Sequence, residues 1–214
     1  YTLTIDPNGG RWNNTTGNST FKQNYGTTKT ISNPTVAPKG YTITFNTNGG
    51  STVASQTSTK SFTNWSLSGA GSLSGTTFTF GAENTTLTAN YKNNSITLPT
   101  PTKTGSTFAG WYTNSECTES AGNAGASYTP TKDITLYAKW DTNKYTLTIN
   151  PNGGTWNNST GVQEYEQDYG TIKEIPNPTV APKGYTITFN TNGGSAVASQ
   201  TSTKSFTNWS LSGA

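Results

Sequence analysis

Hydrophobic and polar residues alternate with a period of two in several short stretches of the chain. Residues 1–5 and 41–45 place Thr on one face of an extended strand and Tyr, Leu, Ile or Phe on the other. Both stretches run into Asn-Gly-Gly, whose residues tolerate the positive φ angles of tight hairpin turns. The pattern also predicts strands at residues 76–80 and 85–91, and it contains no long amphipathic helix. We therefore expect a chain of short strands and turns.

The chain also repeats itself. Residues 1–70 align with residues 145–214 without a gap, at an offset of 144, and differ at 13 positions, 12 of which precede Asn33. The phrase YTITFNTNGG occurs in both copies, at residues 41–50 and 185–194. Such tandem similarity is typical of repeat proteins, in which each unit contacts mainly its neighbours.

Within one period the pattern predicts two modules. We assign residues 1–91 to the first module, with an extra hairpin inserted at 41–59, and residues 92–140 to the second. Each has a Pro-rich entry, an aromatic strand with Trp, a variable loop and a closing strand. Residues 141–144 are predicted to link them to a truncated second copy of the first module, 145–214. That copy lacks the strands predicted in residues 71–92, so we expect the chain to continue or another chain to supply them.

The composition favours folded modules with thin cores. Only 29% of residues are hydrophobic, but 12% are aromatic and 11% charged, whereas disordered chains combine high charge with few aromatic residues. Six tryptophans recur at equivalent places, and we expect them in the cores, because aromatic area stabilises small β modules. The alternative is that exposed rings stack on sugars. These residues are Trp12, Trp65, Trp111, Trp140, Trp156 and Trp209.

Catalytic and metal-binding residue types are scarce. The chain has no His and one Cys, which removes the commonest general base, the Ser-His and Cys-His arrangements and most zinc sites. We therefore predict no enzyme, no cofactor and no metal. Glu164 and Glu166 share one predicted strand face, where a bound cation is the alternative to a solvated surface. Cys117, in the polar stretch TNSECTES, is predicted to be a bystander thiol.

The net charge of +3 is mild and its lysines are scattered, which argues against a nucleic-acid partner, and no apolar run reaches membrane-spanning length. The two copies nevertheless differ in charge. Residues 11–30 sum to +3, whereas the equivalent residues 155–174 sum to −3. One hypothesis is that oppositely charged faces set contacts between chains. The alternative is neutral drift on a solvated face, since exposed ion pairs contribute little.

Four phrases of this chain resemble the Listeria–Bacteroides repeat family, which includes the B-repeats of Listeria internalins. They are YTLTIDPNGG, YTITFNTNGGS, PTPTKTGSTFAGWYTN (99–114) and SYTPTKDITLYAKW (127–140). The similarity is strongest over residues 92–140, although Ser106 stands where the family usually has Tyr. The resemblance implies small β-grasp-like modules, in tandem on a secreted or cell-surface bacterial protein, and it implies no catalytic residue.

Together these observations predict an all-β to β-rich fold of tandem β-grasp-like modules arranged as an elongated array. The predicted function is a structural or adhesive segment of a long extracellular bacterial repeat protein, a stalk or a filament-forming fibre. Its expected partners are neighbouring repeats and identical chains. The alternative is a binding module that recognises a host protein or glycan through exposed aromatic residues.

Overall fold

The computed structural model describes residues 1–212, and its regular elements within that range are all β-strands, which confirms the predicted all-β fold. Contacts divide the chain into a first unit, Tyr1–Asp141, and a second unit that begins at Thr142. In chain order the strands are β1 (Thr2–Asp6), β2 (Ser19–Lys22), β3 (Thr28–Thr30), β4 (Thr42–Asn46), β5 (Gln56–Thr57), β6 (Lys60–Ser68), β7 (Ser72–Ser74), β8 (Thr77–Thr79), β9 (Thr85–Asn93), β10 (Ile96–Thr97), β11 (Ser106–Tyr112), β12 (Ser120–Gly122), β13 (Ser127–Tyr128), β14 (Ile134–Thr142), β15 (Lys144–Ile149), β16 (Gln163–Asp168), β17 (Thr186–Ile187) and β18 (Gln200–Thr201).

The first module of the first unit is built around a central pair of parallel strands. Its four-stranded sheet has the order β2-β1-β9-β6. The first strand, β1, pairs antiparallel with β2 and parallel with the closing strand, β9, so that Ile5 lies opposite Leu87. A three-stranded sheet, β3-β8-β7, supplies the other side of the core. The buried core residues from both sheets and their loops are Leu3, Ile5, Trp12, Ile31, Phe78, Phe80 and Leu87.

The second module has a five-stranded sheet of order β12-β11-β14-β4-β5. Here β4 pairs parallel with the closing strand β14, with Ile43 opposite Ile134 and Phe45 opposite Leu136. A small sheet, β10-β13, completes the module. Its buried core residues are Ile43, Phe45, Leu98, Trp111, Leu136 and Ala138.

The hairpin at residues 41–59 was expected as an extra element of the first module. It lies between strands of that module in the sequence but is not part of its sheets. Its strands β4 and β5 belong to the sheet of the second module, because Ile43 and Phe45 are buried in the second core. The chain thus runs from the first module into the second, returns to the first through β6 to β9, and then completes the second. Strand pairing therefore crosses the boundary that we predicted between residues 91 and 92.

The two modules share one strand order. Read from one edge, the strands β5-β4-β14-β11 of the second module are arranged like the strands β2-β1-β9-β6 of the first. In each set of four, the strand that comes second in the chain lies at the edge, followed by the first, the last and the third. The phrase YTITFNTNGG is therefore the counterpart of YTLTIDPNGG because each supplies the first strand of one module. This equivalence explains why one period of the chain contains both phrases.

The second unit contains two antiparallel pairs in its described part, β15 with β16 and β17 with β18. Ile149 and Trp156 are its buried hydrophobic residues. Within residues 142–212 neither pair has a parallel closing strand beside it. The same hairpin sequence consequently has two environments, since Ile43 is fully buried in the first unit and Ile187 is 48% exposed in the second.

This pair of equivalent residues provides a test of the hairpin assignment. We expect Ile43→Ala to lower the free energy of unfolding of the first unit by about 2–5 kcal/mol, the usual cost of truncating a buried Ile. Ile187→Ala should change the stability of the chain by less than about 0.5 kcal/mol, as is usual for exposed positions. Urea unfolding followed by tryptophan fluorescence measures both. Equal effects of the two substitutions would show that the hairpin does not belong to the second core.

Candidate functional site: the clasp between first and closing strands

In both modules of the first unit, the turn after the first strand reaches across to the closing strand. Asn8 Nδ2 donates a hydrogen bond to the carbonyl oxygen of Ala89 over 3.0 Å. In the second module Asn48 Nδ2 donates to the carbonyl oxygen of Ala138 over 2.7 Å. We call this set of contacts, between an Asn-Gly-Gly turn and the closing strand, the clasp.

The backbone of the turn aims the Asn side chain. Asn8 and Asn48 have φ angles of 48° and 47°, in the left-handed region that Asn adopts more readily than other residues with a side chain. The amide N–H of Asn8 also donates to Asp6 Oδ1, and that of Asn48 donates to Asn46 Oδ1. Such side-chain turns are characteristic of Asp and Asn, so the Asp or Asn two positions earlier helps to fix the clasp.

An aromatic residue at the end of the closing strand completes the clasp. The Tyr91 hydroxyl donates to the carbonyl oxygen of Pro7 over 3.0 Å, and Trp140 Nε1 donates to the carbonyl oxygen of Thr47 over 2.9 Å. A Cβ atom on Gly10 would overlap the Tyr91 hydroxyl, so the second Gly of the turn provides the room for this ring.

The opposite end of each parallel pair is also fixed. The amide N–H of Thr2 donates to Asn84 Oδ1 over 2.8 Å, and the amide N–H of Thr42 donates to Asp133 Oδ1 over 2.7 Å. In both modules the acceptor is the residue immediately before the closing strand. Each first strand is thus held to its closing strand by side chains at both ends as well as by the ladder between them.

The sequence predicted the strand and turn roles of the repeated phrase but missed the clasp. Its partners are distant in the chain, 81 residues apart for Asn8 and Ala89 and 90 residues apart for Asn48 and Ala138. The available signal was the Ala-x-aromatic ending shared by both closing strands, at residues 89–91 and 138–140.

The tryptophans lie in or beside the cores. Trp12, Trp111 and Trp156 are buried, and their indole N–H groups donate to backbone carbonyl oxygens in Pro-rich or adjacent segments. Trp65, Trp140 and Trp209 are half-buried. Edge-to-face contacts link Phe108 to both Trp111 and Trp140, which is the usual geometry of aromatic cores.

The carboxylates and the cysteine that the sequence offered as candidate site residues lie on exposed or half-buried surface in the described residues. Glu164 and Glu166 lie on one exposed face of β16, but no group of three or more Asp, Glu, His or Cys residues is placed there to hold a metal. Cys117 is half-buried, and its Sγ lies 3.9 Å from the Ala138 carbonyl oxygen. Two open surface cavities of about 410 and 380 Å³ are lined by Ala-Pro-Lys-Gly and Thr-Ser-Thr-Lys of each copy, without a carboxylate or thiol.

Comparison with known proteins identifies the family to which the chain belongs. The sequence model of the Listeria–Bacteroides repeat domain matches residues 41–95, 77–139 and 185–212. Because these matches cover more than half of the chain, the protein belongs to the Listeria–Bacteroides repeat family, and the resemblance inferred from the sequence is confirmed. No curated protein matches the chain, and no solved structure matches it. Among the described residues, no helix is long and apolar enough to cross a membrane.

The contribution of the clasp is measurable with a near-isosteric substitution. Asn48→Asp keeps the tolerance for positive φ but replaces the donor NH₂ with a carboxylate beside the Ala138 carbonyl oxygen. We expect it to lower the free energy of unfolding of the first unit by about 1–3 kcal/mol. Asn192→Asp is the matched control, because Asn192 has the same turn geometry, with φ of 45°, and no described closing strand. Chemical denaturation compares the two, and equal losses of stability would rule out the clasp.

The clasp also predicts a loss of stability in alkali. Burial raises the pKa of the Tyr91 hydroxyl above its ordinary value of 10.0, and the negative charge of Asp6 raises it further. Because the pKa of this hydroxyl is higher in the folded state than in the unfolded state, the protonated hydroxyl stabilises the fold fully below about pH 10. That stabilisation is lost as pH rises through the folded-state pKa. Tyr91→Phe should be less stable at neutral pH but decline less steeply above about pH 10. Urea titrations across this range measure both slopes. Parallel profiles would contradict the prediction.

Proposed function

We propose that this chain is a non-catalytic structural segment of an extracellular or cell-surface bacterial repeat protein, serving as a stalk or fibre that carries mechanical load. The observation that supports it best is the interleaved pairing of β1 with β9 and of β4 with β14. In this arrangement two small cores are joined into one unit, and the single cysteine of the chain allows no disulfide within it.

The direction of the paired strands suits a load along the chain. Force enters the first module at the start of β1 and leaves it at the end of β9, which are opposite ends of a parallel pair. In the second module the closing strand β14 leads out of the unit, and β4 lies parallel beside it. Two parallel strands pulled from opposite ends are loaded in shear, so their hydrogen bonds share the force instead of opening one after another.

We further propose that the modules are β-grasp-like and form an elongated array. The sheet order, with first and closing strands adjacent, parallel and central, supports the first part of this proposal. The tandem copies at an offset of 144 residues and the membership of a repeat family support the second part. The same membership supports a location outside the cell.

A second candidate is a binding module for a host protein or glycan. It is favoured by an exposed aromatic pair, Tyr145 and Tyr169, which are 56% and 50% exposed with ring centroids 6.2 Å apart. The equivalent residues Tyr1 and Tyr25 are also exposed. The tryptophans contribute little to such a surface, because they are buried or half-buried.

Single-molecule stretching of the whole chain, tethered at its ends, tests the structural proposal. Because the modules of the first unit are interleaved, we expect them to unfold in one event that releases about 450–500 Å of chain. Ile43→Ala should lower the force of that single event without dividing it, and Ile187→Ala should leave it unchanged. Two separate steps, each releasing one module, would contradict the proposal.

A further inference from the structure

The charge difference between the two copies is concentrated on one face of one strand. In β16, Glu164, Glu166 and Asp168 are exposed on the face opposite the core. The equivalent positions of the first copy, at and just after β2, are Thr20, Lys22 and Asn24. A face with one positive charge in the first unit thus has three negative charges in the second.

The core-facing side of these strands does not share the difference. Lys29 Nζ lies 3.8 Å from the centroid of the Phe21 ring, and Lys173 Nζ lies 4.1 Å from the centroid of the Tyr165 ring. These two pairs occupy equivalent positions and have the same charge. On these strands the reversal of charge is therefore confined to the solvent face.

Both strands lie at the edge of a sheet. β2 ends the order β2-β1-β9-β6, and β16 pairs with β15 alone. Within residues 1–212 no strand lies on the outer edge of either, so each presents unpaired backbone groups of the kind that bind a strand of another chain.

Charge decides which of these edges are compatible. When two strands pair, side chains on the same face come within about 4.5–5.5 Å, so opposite charges stabilise the pair and like charges destabilise it. Two β16 strands would bring two rows of carboxylates together, and two β2 strands would oppose Lys22 with Lys22. Only β2 against β16 places Lys22 beside the acidic row.

We propose that β2 of one chain pairs edge to edge with β16 of a second copy of the chain. This contact joins two different surfaces, so it need not close into a dimer and can continue into an open series of chains. The inference rests on the proposed structural function and names its partner. Within one chain, Lys144 competes with the Lys22 of a second copy for Glu166. This competition is weak, because the Lys144–Glu166 ion pair has an N–O distance of 3.6 Å and joins two largely exposed side chains.

Sedimentation velocity of the whole chain over a range of concentrations tests the contact. We expect association at low salt that weakens at least tenfold near 0.5 M salt, where exposed charges are screened. Glu164→Lys with Glu166→Lys makes both edges positive, and Lys22→Glu makes both negative, so each variant alone should be monomeric. Mixing the two variants restores both complementary contacts and should restore association. Glu83→Lys with Glu116→Lys, at exposed positions away from β16, changes net charge equally and should still associate in low salt.

Two results would overturn the proposal. The first is association that neither salt nor the substitutions change. The second is a monomeric wild-type chain whose Glu164→Lys, Glu166→Lys variant associates, because the acidic row would then protect the edge of β16 from pairing. Neither result bears on the load-carrying function, which is measured on single tethered chains.

Discussion

The parallel pairing of a first strand with a distant closing strand is the interaction on which the rest of the structure depends. It places Leu3 and Ile5 against Leu87 in one module, and Ile43 and Phe45 against Leu136 in the other. Each pair contributes only a few apolar residues, and small cores of this kind give a domain only marginal stability. Side chains at both ends of each pair then fix the register that buries these residues.

The interleaved path requires the chain to cross between the two modules three times, and the first two crossings lie close together. At the first crossing Tyr41 N–H donates to Ser58 Oγ over 2.9 Å, and a Cβ atom on Gly40 would overlap the backbone of Ser58. Ser58 is itself one of the few buried polar residues of the unit. The same contact recurs in the second unit, where Tyr185 N–H donates to Ser202 Oγ over 2.8 Å. The crossing is therefore a local feature of the sequence that forms without a closing strand beside it.

Much of this architecture follows from local patterns. The alternation at residues 1–5, 41–45 and 85–91 predicted β1, β4 and β9 to within two residues, because period-two patterning reports which face of a strand is buried. It does not report which sheet supplies the burial. The hairpin at residues 41–59 follows a segment of the first module directly, so chain continuity suggested the wrong neighbour, and its partner β14 begins about ninety residues later. The clasp was missed for the same reason, since its donors and acceptors are far apart in sequence.

Interleaving also gives the order of biosynthesis a structural role. The hairpin that contains β4 leaves the ribosome long before β14. Its side chains Ile43 and Phe45 therefore lack their partner Leu136 until that strand is made. The hairpin at residues 185–202 has almost the same sequence, differing only where Thr52 is replaced by Ala196. During translation the earlier hairpin meets β14 before its near-twin exists. A chain diluted from denaturant has no such schedule, so both hairpins are present when β14 finds its partner, and the order of emergence favours β4 only during translation.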